Sequence, residues 1–247
     1  MFQRMLTSAL IAGVAAGLLA AVLHFVFVQN YILLGEAFEA GTRVHFSGTA
    51  TGAADGGTHD HAPAEGAEAD ASADHSHSHE HAAPGADASG LKRNGLTVLF
   101  TTLVYSGYGL LLVAGFALAN RFGHGVTARE GLLWGLAGFA AFQLMPAMGL
   151  APELPGTLAA DFQARQVWWL ATVICTGAAL ALIGYGNGLP AYGLAVLLLA
   201  LPHIVGAPQV DGFSGVAPPE VAGAFAARVL GVGLIAWAVL GLWHTVF

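Results

Sequence analysis

Four histidines alternate with other polar residues between His75 and His81, in the order His-Ser-His-Ser-His-Glu-His. His59 and His61 lie a short distance upstream. The imidazole nitrogen is a common ligand of zinc, nickel, cobalt and copper, and it binds in its neutral form. The cluster therefore predicts capture of divalent metal ions, which weakens as the pH falls through the ordinary histidine pKa of about 6.5. A flexible spacer is the alternative, but imidazoles at this density are unusual for one.

A second set of imidazoles and carboxylates lies at the ends of apolar stretches. Its members are His24, Glu36, Glu39, Glu153 and His203. His203 follows Pro202, where we expect the helix to break and to expose carbonyl oxygens that also coordinate ions. Nitrogen and oxygen donors suit a borderline divalent cation, so the set is our candidate entrance site. A hydrogen bond between helices is the alternative role for His24, and a rigid turn is the alternative for Glu153.

The elements that hold these residues are membrane helices. Hydrophobic residues make up 56% of the 247 positions and charged residues only 9%, whereas a soluble domain carries about 25% charged residues. A membrane helix needs about 20 mostly apolar residues. Six stretches qualify, the fifth being the shortest: Met5–Val28, Leu96–Ala119, Glu130–Met148, Val167–Tyr185, Leu189–Val205 and Val221–Val246. The sequence predicts an all-α integral membrane protein with one membrane domain.

The first span, within residues 1–35, is predicted to be an uncleaved anchor, and five further spans occupy residues 96–247. The acidic, histidine-rich segment of residues 36–95 separates them. Ten of the fifteen acidic residues lie between Glu36 and Asp87, and large apolar side chains are nearly absent between Gly48 and Gly90. Such a segment buries too little surface to offset its ordering entropy, so we expect a disordered loop.

Six spans place both termini on one side of the membrane and the first, third and fifth loops on the other. The candidate entrance residues all belong to this second side, where three segments can converge. The arginines of the short connecting segments weakly favour cytoplasmic termini. We therefore expect the protein in the plasma or inner membrane with the histidine-rich loop outside.

Several function classes lack support in the sequence. There is no G-x-x-x-x-G-K motif, so the chain has no P-loop ATPase of its own. No H-E-x-x-H, G-x-S-x-G or C-x-x-C motif is present, and an enzyme is not predicted. The single lysine and the lack of a basic patch argue against nucleic acid as a partner. Thr127-Ala-Arg-Glu130 matches a helix capping box, and the pairs Gly13/Gly17 and Gly131/Gly135 predict close helix packing.

The chain resembles the predicted cobalt-transporter subunit family CbtA. The most specific matching motifs are Pro152-Glu-Leu-Pro-Gly156, Arg165-Gln-Val-Trp-Trp169 and Leu201-Pro-His-Ile-Val-Gly-Ala-Pro208. Weaker matches are the opening Met1-Phe-Gln-Arg-Met-Leu, the segment Glu36-Ala-Phe-Glu39 and the histidine-rich first loop. The resemblance implies a membrane component of cobalt uptake that serves cobalamin synthesis. It also implies a small one-span partner, CbtB, with histidines of its own.

The favoured function is divalent-cation uptake, with cobalt as the ion implied by the resemblance. Nickel and zinc share the same ligands. One rival function is a membrane-anchored metal buffer or sensor without a conduction path, and the sparse polar content of the spans favours it. Two further rivals are an export component and a scaffold that assembles an energised partner.

Overall fold

The computed structural model describes residues 2–44, 86–212 and 215–243. Residues 1–45 and 95–247 form one compact unit, and residues 46–94 form a second unit, of which only the beginning of a helix is described. All histidines of the predicted metal-capturing loop lie outside the described residues. In the described parts of the chain the regular structure is helical, apart from one isolated β-bridge between Thr157 and Gly215.

The helices follow the hydrophobic stretches closely. They are α1 (Phe2–Phe27), α2 (Gln29–Glu39), α3 (Ala86–Arg121), α4 (Ala128–Phe139), α5 (Met145–Ala147), α6 (Phe162–Tyr185), α7 (Gly188–Val205) and α8 (Pro219–Trp243). The two ends of the segment predicted as a loop are therefore helical, since α2 extends to Glu39 and α3 begins at Ala86.

Five helices of the described chain are long and apolar enough to cross a membrane: Leu6–Phe27, Gly90–Arg121, Phe162–Tyr185, Gly188–Val205 and Pro219–Trp243. They correspond to five of the six predicted spans. The predicted fifth span, the shortest, is a helix of 18 residues. Its boundary with α6 is a tight turn at Gly186 and Asn187, which ends at Gly188 with φ +81°.

The predicted third span, Glu130–Met148, is not one uninterrupted α-helix. Twelve residues of α4 lead into a five-residue π-helical turn, Ala140–Leu144, and then into the single turn of α5. The predicted capping box is confirmed at its start: the Thr127 N–H donates to the Glu130 carboxylate at 2.6 Å, and the Glu130 N–H donates to the Thr127 hydroxyl at 3.4 Å. The helical backbone is continuous from residue 128 to 147, and at about 1.5 Å per residue it is long enough to cross the hydrocarbon core.

Small residues set the distances between the helices. A methyl group at Gly13 or Gly17 of α1 would overlap the backbone of α3 at Ser106 or Thr102. Gly135 of α4 lies equally close to Gly241 of α8. Both predicted glycine pairs therefore occur where two helix backbones approach each other, the arrangement that dispersion forces favour within a bilayer.

An aromatic core lies where α3, α8 and the π-helical turn meet. Trp237 is 1% exposed, and its ring lies 4.5 Å from Tyr108 and 5.7 Å from Phe142, measured between ring centroids. A second core of Val28, Leu154 and Phe225 lies at one end of the helices. We call this the loop-side end, since α1 and α7 end there and α6 and α8 begin there.

Candidate functional site

Three separate segments meet at the loop-side end. This was predicted from the alternation of six spans, which places the first, third and fifth loops on one side. Gly35 of α2 lies against Leu154 and Pro155 of the segment 149–161. That segment in turn contacts residues 206–218 through the Thr157–Gly215 bridge and through Gln209, whose amide donates to the Gly149 carbonyl at 2.9 Å. The predicted entrance residues therefore belong to segments that the fold does bring together.

Glu153 forms an ion pair at this end. The Arg165 guanidinium, at the start of α6, donates to the Glu153 carboxylate at 2.8 Å. Both side chains are partly exposed, so water screens the pair and its contribution to stability is small. The carboxylate therefore already has a cationic partner, which an incoming metal ion would have to displace. This pair was not predicted from the sequence.

Glu36 and Glu39 lie on α2, the helix that follows the kink at Val28. The Glu39 side chain packs beside Gly156, whose φ of +79° allows the turn after Pro155. His24 lies near the end of α1, half-buried, with its ring edge-on to Phe25 at 5.9 Å. These three side chains thus line the same end of the unit.

His203 differs from our expectation in its backbone. The helix does not break at Pro202 but continues through it to Val205 and ends at Gly206, where φ is +87°. Proline has no N–H to donate to the carbonyl four residues earlier, that of Leu198, and membrane helices tolerate such a loss. The Pro202 carbonyl itself accepts hydrogen bonds from the Gly206 N–H at 3.0 Å and from the Trp168 indole at 2.9 Å.

The His203 ring packs edge-on against Trp168 at 5.8 Å. Its Nε2 atom is buried and has no hydrogen-bond partner. A buried nitrogen without a partner costs free energy, so this imidazole is able to accept a ligand.

The five predicted side chains do not form one assembled metal site. Within residues 2–44, 86–212 and 215–243, no three histidine, cysteine, aspartate or glutamate side chains lie close enough together to hold a metal ion. The segments converge, but their ligand groups stay apart, because hydrophobic contacts such as that between Gly35 and Leu154 occupy the space between them. A complete coordination shell would need donors from elsewhere.

A cavity of about 820 Å³ begins beside the ion pair. Glu153 and Arg165 line its loop-side end, and Gln143, Leu170 and Leu230 line it deeper among the helices, whereas His203 does not contribute to the lining. Along α6 the lining runs from Phe162 to Leu170, a rise of about 12 Å at 1.5 Å per residue. Most of the lining is apolar. The few polar groups in it would therefore determine what can bind there.

Gln143 is the polar group at depth, and it belongs to the π-helical turn. Its Oε1 atom is buried, lies against Gly233 of α8 and has no hydrogen-bond partner. Tyr105 of α3 is buried in the neighbouring aromatic core. The position of Gln143 in a π-helical turn was not predicted, since no local sequence pattern indicates such a turn.

Arg228 was not predicted as a functional residue. It lies within the apolar helix α8, half-buried, with its guanidinium 4.4 Å from the centre of the Tyr31 ring of α2. It also donates to the Ala224 carbonyl at 3.1 Å. An ionisable residue inside a membrane span is a functional candidate by default. That signal was present in the sequence, where Arg228 interrupts a long apolar run.

The long apolar helices, the bilayer-length spacing and the polar loop-side end define a multi-pass helical membrane protein. The family model described as probable cobalt transporter subunit (CbtA) matches residues 2–247. The chain therefore belongs to the CbtA family, as its motifs suggested. Comparison with curated proteins gives no match, and comparison with solved structures gives none.

Proposed function

We propose that this subunit admits cobalt across the membrane from the loop-side end, through the cavity between α6, α8 and the π-helical turn. The observation that carries the proposal is the placement of polar groups in that cavity. A carboxylate–guanidinium pair stands at one end of the lining. The Gln143 side chain stands further along it, with an amide oxygen that lies against Gly233 of α8 and has no hydrogen-bond partner. Neither the ion pair nor the amide is required in a cavity that only separates apolar helices.

The histidine-rich loop would supply the ion. His59, His61, His75, His77, His79 and His81 offer imidazole nitrogens that bind borderline cations such as cobalt. Several weak sites on one segment raise the local concentration of metal without holding it permanently. In the proposed orientation the loop lies outside the cell and the termini lie inside.

The ion pair would act as an exchange site. A divalent cation carries twice the charge of the Arg165 guanidinium and competes with it for the Glu153 carboxylate. A monovalent cation has no such advantage, so the pair discriminates against sodium and potassium. Ion pairs of this exposure contribute about 0–1 kcal/mol, and the metal therefore displaces Arg165 at little cost.

His24, Glu36, Glu39 and His203 would act as successive single contacts around this entrance. The absence of a three-ligand group among the described residues supports transient contacts over a tight chelate. Transient binding suits a transported ion, which must be released again.

The absence of a three-ligand group among the described residues also favours a second candidate function. In that function another polypeptide completes the metal site. The family description calls the protein a subunit, and a small one-span protein with its own histidines would supply the missing ligands. In that case the chain would scaffold a shared site and would not conduct cobalt alone. Uptake by proteoliposomes with and without the small partner separates the two functions.

The decisive experiment measures initial cobalt uptake against external cobalt in cells that express the chain with its partner. We expect Glu153→Gln to raise the half-saturating concentration at least about tenfold, because a ligand is lost. Arg165→Gln should lower it by up to about fivefold, since the competing cation is removed.

Glu220→Gln is the matched control. Glu220 is an exposed carboxylate at the same end of the unit, at the start of α8, and it does not line the cavity. Its replacement should leave uptake unchanged. Wild-type cells that accumulate no more cobalt than cells without the protein would overturn the proposed function. Equal half-saturation in all variants would remove the ion pair from the route.

A further inference from the structure

The π-helical turn places an amide oxygen inside the membrane domain. In an α-helix each N–H donates to the carbonyl four residues earlier, whereas here the Met145 N–H donates to the carbonyl of Ala140. Such turns accommodate one extra residue and occur frequently at functional sites. Pro146 has no N–H to donate, and in a regular α-helix its ring would clash with the carbonyl of Phe142, so it accounts for the turn itself. It does not account for the direction of the Gln143 side chain.

The surroundings of Gln143 offer it no protein donor for its oxygen. Oε1 lies against the backbone of Gly233, and a side chain of any size at that position would occupy its place. A buried acceptor without a hydrogen bond costs free energy, and nearly all such groups in native proteins have a partner. Glycine at position 233 therefore leaves space for the Gln143 oxygen, which makes no hydrogen bond to the protein.

Further polar groups belong to the adjacent aromatic core. Tyr105 is buried there, and the ring of Tyr108 lies 5.7 Å from that of Tyr105. The Trp237 indole N–H, in the same aromatic core, is also buried without a partner. An amide oxygen and phenol oxygens are ligands for a cation, whereas an indole N–H can only donate, for example to a water molecule. Together these groups suit an ion that retains part of its water shell.

We infer that the Gln143 amide oxygen forms an inner binding site for a partly hydrated divalent cation. The site rests on the proposed function, because it belongs to the same cavity. Its neutral oxygen binds a cation more weakly than a carboxylate would. The ion can therefore leave again, which a route across the membrane requires. A rotation of the amide turns Oε1 from Gly233 towards the cavity that Gln143 already lines.

The test compares Gln143 with a glutamine outside the cavity. Gln143→Leu removes the inner oxygen at similar volume, and Gln163→Leu removes an exposed glutamine of α6 that does not line the cavity. We expect Gln143→Leu to lower the maximal rate of cobalt uptake at least about tenfold with little change in half-saturating concentration. Gln163→Leu should behave as the wild type. Gln143→Glu should retain binding but slow release, so that cobalt stays bound while uptake falls.

Binding gives a readout that does not depend on transport. The full-length chain is purified in detergent with His59, His61, His75, His77, His79 and His81 replaced by alanine, which removes the loop sites. Equilibrium dialysis against cobalt then counts the remaining ions. We expect Gln143→Leu to lose one bound cobalt, and Gln163→Leu and Gln143→Glu to keep it.

The outcomes separate the inference from the function on which it rests. Normal uptake and normal binding by Gln143→Leu would overturn the inner site and leave the role of Glu153 intact. If wild-type cells take up no cobalt, the proposed function fails, and dialysis still decides whether the inner site exists. If Gln143→Leu lost its fold, measured by circular dichroism and gel filtration, Gln143→Glu would decide, and loss of its bound cobalt would overturn the inference.

Discussion

We propose a different role for the single imidazole of His203 than for the clustered histidines of the loop. Its Nε2 atom is buried and unpartnered beside Trp168, on a helix that the fold holds in place. The loop histidines are ligands close together in sequence. In the proposed function, His203 would affect each ion that passes, whereas the loop histidines would affect how many ions arrive.

We therefore expect different kinetic defects from the two changes. His203→Ala should depress cobalt uptake about tenfold or more even at saturating metal, because a ligand is missing whatever the supply. Replacing His75, His77, His79 and His81 together by alanine should reduce uptake chiefly at low external metal. The measurement is initial uptake against cobalt concentration, normalised to protein in the membrane.

His124→Ala is the control for this pair of variants. His124 lies at the opposite end of the unit, with its ring 4.8 Å from that of Tyr185. Normal transport by His203→Ala at every concentration, together with an inactive loop variant, would reverse the assignment. His203 would then be a packing residue of α7.

At the scale of elements, α2 is held against α8 by a charged contact as well as by apolar ones. The Arg228 guanidinium lies over the Tyr31 ring at 4.4 Å and reaches back to the carbonyl of Ala224, towards the loop-side end. Because α2 also carries Glu36 and Glu39, this contact fixes the position of two candidate entrance carboxylates. Arg228 of α8 thus contacts the helix that carries two of the candidate entrance carboxylates.

Loss of this contact should destabilise the loop-side end. We expect Arg228→Met and Tyr31→Leu each to lower stability by about 0.5–2 kcal/mol, the range for a cation–π contact. The double variant should cost little more than either single one, because both remove the same interaction. Thermal unfolding in detergent measures this, with the exposed Arg129→Met as control. Additive losses in the double variant would show that the two residues act independently.

At the scale of the whole molecule, the path of the chain alternates between two ends of the helices. The Trp134 indole donates to the Tyr185 hydroxyl at 3.1 Å at one end, and Gln209 donates to the Gly149 carbonyl at the other. Five helices of the described chain are long and apolar enough to cross a membrane, and the interrupted third segment would make a sixth crossing. Six crossings would place both termini on the same side.

Single-cysteine labelling in a Cys175→Ser background tests this topology. Cysteines at Thr42 and Asp211 should react with an impermeant thiol reagent from one side of the membrane. Cysteines at Gly125 and Asn187 should react only from the other side. Labelling of Asp211 and Asn187 from the same side would show that α7 does not cross. In the orientation that we propose, intact cells label Thr42 and Asp211.

The sequence by itself determined the helical class, five long spans and the end of the molecule at which the polar segments meet. Hydropathy is a local property, because each apolar residue adds its own transfer free energy and about 20 of them suffice to span a bilayer. The capping box at Thr127 was equally local, since its two partners are three residues apart. Such features can be predicted without knowing which helices pack against each other.

Which polar groups lie near one another depends on the tertiary structure. The pairing of Glu153 with Arg165, the cavity behind it and the unpartnered oxygen of Gln143 all depend on distances between helices. Those distances follow from close backbone approaches, such as that of Gly135 to Gly241, whose partners lie far apart in sequence. The expected break at Pro202 was wrong, because the helix continues through the proline to Val205. Whether a membrane helix does so depends on the neighbouring helices, which a local sequence pattern does not show.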